Sequence, residues 1–166
     1  MAKYHFIVRE NLSLLSLDER IAACVRIKAD VVAGDERESG RRALLNYGHT
    51  LAHAVEVNTG WAIAHGEAVA IGLVFAAHLA RILGRIDDAR VAEHYDVVNH
   101  IYGLSTLLPT GLSDDALIAS MKRDKKALSS LTFVLDSRDG LEVVEGVEDE
   151  QIREAFDAHR RYGVNP

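Results

Sequence analysis

Three histidines stand out by type and spacing. His49 and His53 are four residues apart in a stretch of helical pattern, so both imidazoles lie on one face about one turn apart. His65 comes twelve residues after His53, across a turn containing Gly60 and Trp61, where the next helical pattern begins. An antiparallel pair of helices would return it to the side of His49. Neutral imidazoles suit Zn²⁺, and a catalytic zinc keeps three protein ligands and one open position. The same spacing also fits ordinary histidines on a helix face, exposed or hydrogen-bonded in a core. Spacing alone leaves both readings open. Glu56 and Glu67 are equally ambiguous, because a carboxylate such as Glu67 is favoured in the first turn of a helix by the dipole alone. His5, His78, His94, His100 and His159 show no partner pattern and read as structural or exposed.

Cations come from separate parts of the chain: Lys28, Arg41, Arg42, Lys122, Arg123, Lys125 and Lys126. A metal beside several of them would suit a substrate carrying carboxylate and phosphate groups. The bland alternative is a set of solvated charges, with the RDKK run completing a helix C-terminus.

The elements that must position these groups are mostly helical. Leu17, Ile21, Cys24, Val25 and Ile27 repeat at helical spacing over residues 17–32, with Ser16 and Glu19 forming a capping box and Gly34 as the stop. A second helix is expected over 42–57, closed by Asn58 and Gly60. A third runs from His65 to about Leu83 with Gly84 at its C-cap, and a fourth from Asp87 and Asp88 to Tyr102, ended by Gly103. Residues 104–113 read as a connector, and Ser113 and Asp114 start a short helix reaching Arg123. The period then changes. Residues 131–135 and 141–147 are rich in β-branched residues and flank an Asp139–Gly140 turn signal, which makes a hairpin at about 131–147. A last helix is expected over 149–161. One hairpin among helices predicts a mainly α, multihelical fold, a single domain over residues 1–166. No GxGxxG or P-loop pattern and no alternation of strands with helices occurs, so a nucleotide-binding α/β unit is not expected in this chain.

With 166 residues, 48% of them hydrophobic and 27% charged, the chain can bury a substantial core. Its formal charge of −6 disfavours nucleic acid as a partner. The single cysteine, Cys24, permits no internal disulfide, and its neighbours Ile21, Ala22, Ala23 and Val25 predict a buried thiol in a reducing cytoplasm. The N-terminal residues lack the order of a signal peptide, and the apolar run 68–77 is interrupted by Gly72, so neither export nor a membrane is expected.

The stretches IKADVVAGDERESGRRALLNYGHTLAHAVE, HGEAVAIGLVFAA, MKRDKK and LTFVL, with MAKY at the start, resemble the C-terminal domain of 3-dehydroquinate synthases, within the sugar phosphate cyclase superfamily. The resemblance spans nearly the whole chain. It implies a divalent metal, Zn²⁺ or alternatively Co²⁺, held by His49, His65 and a glutamate. That glutamate is expected just before the position of Met1, so the chain reads as the metal- and substrate-binding half of a longer enzyme. The NAD-binding N-terminal domain of the family, Rossmann-like in type, would be its partner. By motif position, Lys3, Lys28, Arg42, Asn46, Lys125 and Lys126 would hold the substrate, Glu38 would stand near substrate and metal, and His53 would assist proton movement.

The implied reaction converts 3-deoxy-D-arabino-heptulosonate 7-phosphate into 3-dehydroquinate and phosphate, in the shikimate pathway. Its steps are transient oxidation by NAD, phosphate elimination, reduction and an intramolecular aldol closure. Family members are commonly homodimers. Two departures from the pattern remove no catalytic group: Ala52 replaces a frequent glycine, and Ser129 and Ser130 replace glycine. Three rivals stand beside this reading. Another sugar phosphate cyclase, making 2-deoxy-scyllo-inosose or an epi-valiolone, is disfavoured by the joint presence of Lys28, Arg42 and Asn46. An iron-dependent alcohol dehydrogenase is disfavoured by the GHTxxHAxE and DKK motifs. A non-catalytic helical binding module remains as the reading from a different class.

Overall fold

The computed structural model describes residues 14–34, 40–123 and 131–164. Lys3, Glu38, Lys125 and Lys126 lie outside the described residues, as do His5, Ser129 and Ser130. Helix α1 (Leu17–Ala33) opens with the expected capping box: Ser16 Oγ accepts from the Glu19 amide, and the Glu19 carboxylate accepts from the Ser16 amide at 3.0 Å. A 3₁₀ helix (Arg41–Asn46) leads into α2 (His49–Asn58) and α3 (His65–Ile82). Helix α4 (Asp88–Tyr95) continues as a π-helical turn (Asp96–Ile101), and α5 (Asp114–Arg123) precedes the hairpin of β1 (Leu131–Leu135) and β2 (Glu142–Val147). Helix α6 (Asp149–Val164) ends the described chain. The strands pair antiparallel, with a register shift between Leu131 and Phe133, where Gly146 on the opposing strand has φ +79°. A left-handed glycine is what such a bulge requires.

Helix α3 is the hub. It packs against α2, α4, α6 and β1, and Val74, Phe75, Ala77, Leu79 and Ala80 are fully buried. It has the length and apolarity of a membrane span, but 61% of it is covered by the rest of the fold, as befits a core helix. Phe75 lies against Phe156 of α6 and Phe133 of β1, with ring centroids 4.6 and 6.3 Å apart. Outside α3, Ile152 and Phe156 are fully buried and Leu131 is 1% exposed, so the hairpin and α6 close the core on one side.

Three expectations need correction. The helix expected over 42–57 is broken at Gly48, which adopts φ +80° and separates the 3₁₀ helix from α2. At the break, a β-carbon on Gly72 would stand 2.0 Å from the Gly48 carbonyl oxygen, so the backbones of α3 and the α2 entrance touch there. The helix expected to run to Tyr102 is α-helical only to Tyr95 before it widens. Cys24 is exposed rather than buried, on a face of α1 that also exposes Leu17, Ile21 and Val25. The face of α1 covered by the fold carries Ala23 and Val31 instead.

Candidate metal and substrate site

The α2–α3 pair brings the three histidines together. Ring centroids are 5.3 Å apart for His49 and His65, 5.7 Å for His49 and His53, and 6.2 Å for His53 and His65. Helical spacing sets the first two on α2. The hairpin between the helices returns His65, the first residue of α3, to the same end. Glu67 has a local role there: its carboxylate accepts from the Ala64 amide at 3.3 Å, the half of a capping box that an alanine at the cap position allows.

The hydrogen bonds of the two outer rings decide their tautomers. His49 Nδ1 lies 3.1 Å from the Tyr47 carbonyl oxygen, which can only accept, so Nδ1 carries the proton. His65 Nδ1 lies 2.9 Å from Glu56 Oε1, and a carboxylate oxygen likewise accepts. Both rings therefore keep the Nε2 lone pair. Partial burial, with the neighbouring histidines adding to it, lowers the His49 pKa below the ordinary imidazole value, although the Tyr47 bond opposes the shift. The neutral, ligand-competent form is favoured.

These residues fit a metal. Two imidazoles sharing a tetrahedral zinc at Zn–N of about 2.1 Å have centroids about 5 Å apart, which matches the His49–His65 pair. A proton on Nδ1 bonded to an oxygen, with Nε2 left bare, is how metal-binding histidines are ordinarily held. Among the described residues no group of three or more His, Cys, Asp or Glu side chains completes a metal-binding set, so a cation here requires a donor from elsewhere.

A cleft of about 600 Å³ opens beside the histidines, between α2 and α5. Asn46, His49, Thr50, His53 and Arg123 give it a polar side, and Val57, Trp61 and Met121 an apolar one. Asn58 braces the two helices by donating to the Ala54 carbonyl and to Ser120 Oγ, at 2.7 and 2.8 Å. Trp61, at the rim, is the one non-glycine residue with positive φ among those described, at +64°, and its amide donates to the Glu56 carbonyl at 2.8 Å. A bulky side chain in that conformation is strained, and strain of this kind concentrates near functional sites.

Of the expected substrate residues, Asn46 lines the cleft from the 3₁₀ helix that also carries Arg42, and Lys28 is exposed on α1, which packs against that 3₁₀ helix. Arg123 reaches the cleft. Lys122 does not: its ammonium is 2.7 Å from Asp149 at the start of α6, where it fastens α5 to α6. Sequence reasoning left Glu56 undecided, and its pairing with His65 was hidden because it depends on the path of the 59–64 loop.

Residues 4–127 match the family model described as 3-dehydroquinate synthase C-terminal. The chain belongs to that family. It is 52% identical over 147 residues to a putative aminodehydroquinate synthase of Amycolatopsis mediterranei, covering 89% of this chain and 42% of the relative. It is 43% identical over 145 residues to the 3-dehydroquinate synthase of Corynebacterium jeikeium, covering 86% and 39%. This member of the family thus spans about two fifths of the length of the relatives it matches. Among solved structures, 2-deoxy-scyllo-inosose synthase complexed with carbaglucose-6-phosphate, NAD⁺ and Co²⁺ superposes with a TM-score of 0.74 and 27% identity, over 86% of this chain and 41% of that one. The 2-epi-5-epi-valiolone synthase of Streptomyces hygroscopicus, with NAD⁺ and Zn²⁺ bound, shares the fold at a TM-score of 0.69 and 18% identity, over 87% and 40%.

Proposed function

We propose that this chain is the metal- and substrate-binding part of a cytoplasmic 3-dehydroquinate synthase acting on 3-deoxy-D-arabino-heptulosonate 7-phosphate. The observation that carries the reading is the His49–His65 pair, with both Nδ1 atoms engaged by oxygens and both Nε2 atoms free, beside a cleft lined on one side by Asn46, His53 and Arg123. His49 and His65 would hold a divalent cation together with the glutamate expected just before the position of Met1. When bound, the cation would supply Lewis-acid polarisation of substrate hydroxyls, and NAD, held by a partner nucleotide-binding domain, would reversibly take the hydride of the substrate alcohol.

The chain's own groups do the rest. His53 stands at the cleft within 5.7 Å of the His49 ring, centroid to centroid, and accepts and returns the proton of the hydroxyl that is oxidised. Asn46 holds a substrate hydroxyl. Lys28 and Arg42, with Lys3, Lys125 and Lys126, anchor carboxylate and phosphate, and Glu38 has the part that the family pattern gives it, near substrate and metal. A longer protein containing this chain and a nucleotide-binding domain should release phosphate and dehydroquinate in a steady-state assay. Replacing His53 by Ala there should lower kcat by about 10²- to 10⁴-fold. The chain alone should show no turnover, and dehydroquinate made by it alone would refute that part.

A second reading has one observation in its favour: the 52% identity to a protein named as an aminodehydroquinate synthase. Offering the longer protein the heptulosonate phosphate and its amino analogue in competition separates the two. Turnover of neither, with turnover of a sugar phosphate that lacks the carboxylate, would favour a 2-deoxy-scyllo-inosose or epi-valiolone synthase.

A further inference from the structure

Glu56 is a carboxylate in a place that folding alone would give to an apolar side chain. It is 4% exposed, and Leu51, Ala52, Ala54 and Val55 around it on α2 are buried too. Burying a carboxylate is unfavourable unless something of comparable worth is gained. Its partner, the His65 ring, is 57% exposed, and a bond to a largely solvated imidazole adds little to stability. The asymmetry indicates that the carboxylate serves the histidine and not the fold.

We infer that Glu56 is a positioning residue, fixing the His65 ring with its proton on Nδ1 and its Nε2 lone pair directed outward for the metal. This inference rests on the metal-site reading above. The helix geometry makes the device stiff. Glu56 is in the last turn of α2, its backbone carbonyl accepts from the Trp61 amide at 2.8 Å and from Thr59 Oγ1 at 3.1 Å, and these bonds lock the turn that delivers His65. His49 obtains the same tautomer from a main-chain oxygen, that of Tyr47. The two ligands are therefore oriented by independent supports, one of side chain and one of backbone.

The test uses the longer protein that contains this chain, its Glu56→Gln and Glu56→Leu variants, and zinc alone as the probe. Gln retains an oxygen acceptor, whereas Leu is a buried apolar replacement that should preserve or raise thermal stability. Long-range nitrogen–proton NMR should show His65 protonated on Nδ1 in the unsubstituted protein and in Glu56→Gln, and shifted toward Nε2–H in Glu56→Leu. Zinc affinity, followed at the His49 and His65 resonances, should fall about 10- to 100-fold in Glu56→Leu and recover in Glu56→Gln. An unchanged tautomer and unchanged zinc affinity in a folded Glu56→Leu protein would overturn the positioning role and leave the metal site standing. If zinc at saturating concentration leaves both resonances of the unsubstituted protein unmoved, the metal site itself fails and the inference falls with it.

Discussion

His49 and His53 line the α2–α5 cleft with the His65 ring beside them, half-buried to exposed, whereas His78, His94 and His159 are 4%, 1% and 2% exposed. The buried set is built into the fold. His94 donates from Nδ1 to the Arg90 carbonyl at 2.8 Å and accepts from the Tyr47 hydroxyl at Nε2, also at 2.8 Å. Arg90 in turn donates to the fully buried Asp136 at 2.7 Å, so one polar chain ties the entrance of α2 to α4 and the end of β1. His78 bonds the Tyr95 hydroxyl at 3.0 Å and stacks on His159, whose Nε2 donates to the Thr106 carbonyl at 2.7 Å. At the mouth, His49 and His65 each give one nitrogen to the protein and keep the other on a half-buried or exposed ring, whereas the second nitrogen of His159, Nδ1, is buried with no hydrogen-bond partner. The same side chain serves as a core bracket where its ring is covered and is open to a solute where the remaining nitrogen stays accessible.

Acid should break the buried set first. Burial, aided for His78 by His159, brings both residues down to about 4, from 6.5 for a free imidazole. The unfolded chain therefore takes up protons that the native chain refuses as pH falls from about 6.5. Stability is fully present above that value and declines until about pH 4, by about 3 kcal/mol for each group at most. Urea midpoints across this range should show the decline, and a flat profile would mean that these rings are not buried. Next in size, His94→Ala should cost about 3 kcal/mol, through a cavity and an unpaired Tyr47 hydroxyl, while His53→Ala stays within about 0.5 kcal/mol. Thermal melts of the two variants compare the sets directly.

Zinc sharpens the contrast from the other side. At about 10 times its Kd it should raise stability by about 1.4 kcal/mol, an effect abolished by a chelator or by His49→Ala and untouched by His100→Ala. The smallest effect concerns Cys24. A thiol reagent should label it in the native chain, and Cys24→Ser should move stability by less than about 0.5 kcal/mol. Slow labelling that waits on unfolding would contradict its exposure.

What could be read from the sequence follows from how local each interaction is. The α1 capping box, the α5 start and the hairpin turn rest on residues within a few positions of one another, and they stand in the structure as expected. The mouth histidines were legible because helical spacing and one short turn suffice to gather them. The buried ones were not, since Tyr47 and His94 are 47 positions apart and Thr106 and His159 are 53 apart. Cys24 misled because its neighbours are apolar whichever way the helix faces, and composition carries no orientation. The break at Gly48 was hidden by a periodicity that runs on through it, and its close contact with Gly72, 24 positions away, leaves no local signal.

That glycine contact has a consequence for how the family can vary. The gap between the start of α2 and the flank of α3 is set by main chain against main chain at Gly48 and Gly72, with the Leu73 side chain beside it. Exchanging aliphatic residues elsewhere in the core should leave the span between the imidazoles at 49 and 65 in place. The tolerance is one-sided: the gauge survives substitutions around it, and a single added methyl at position 72 would force it apart.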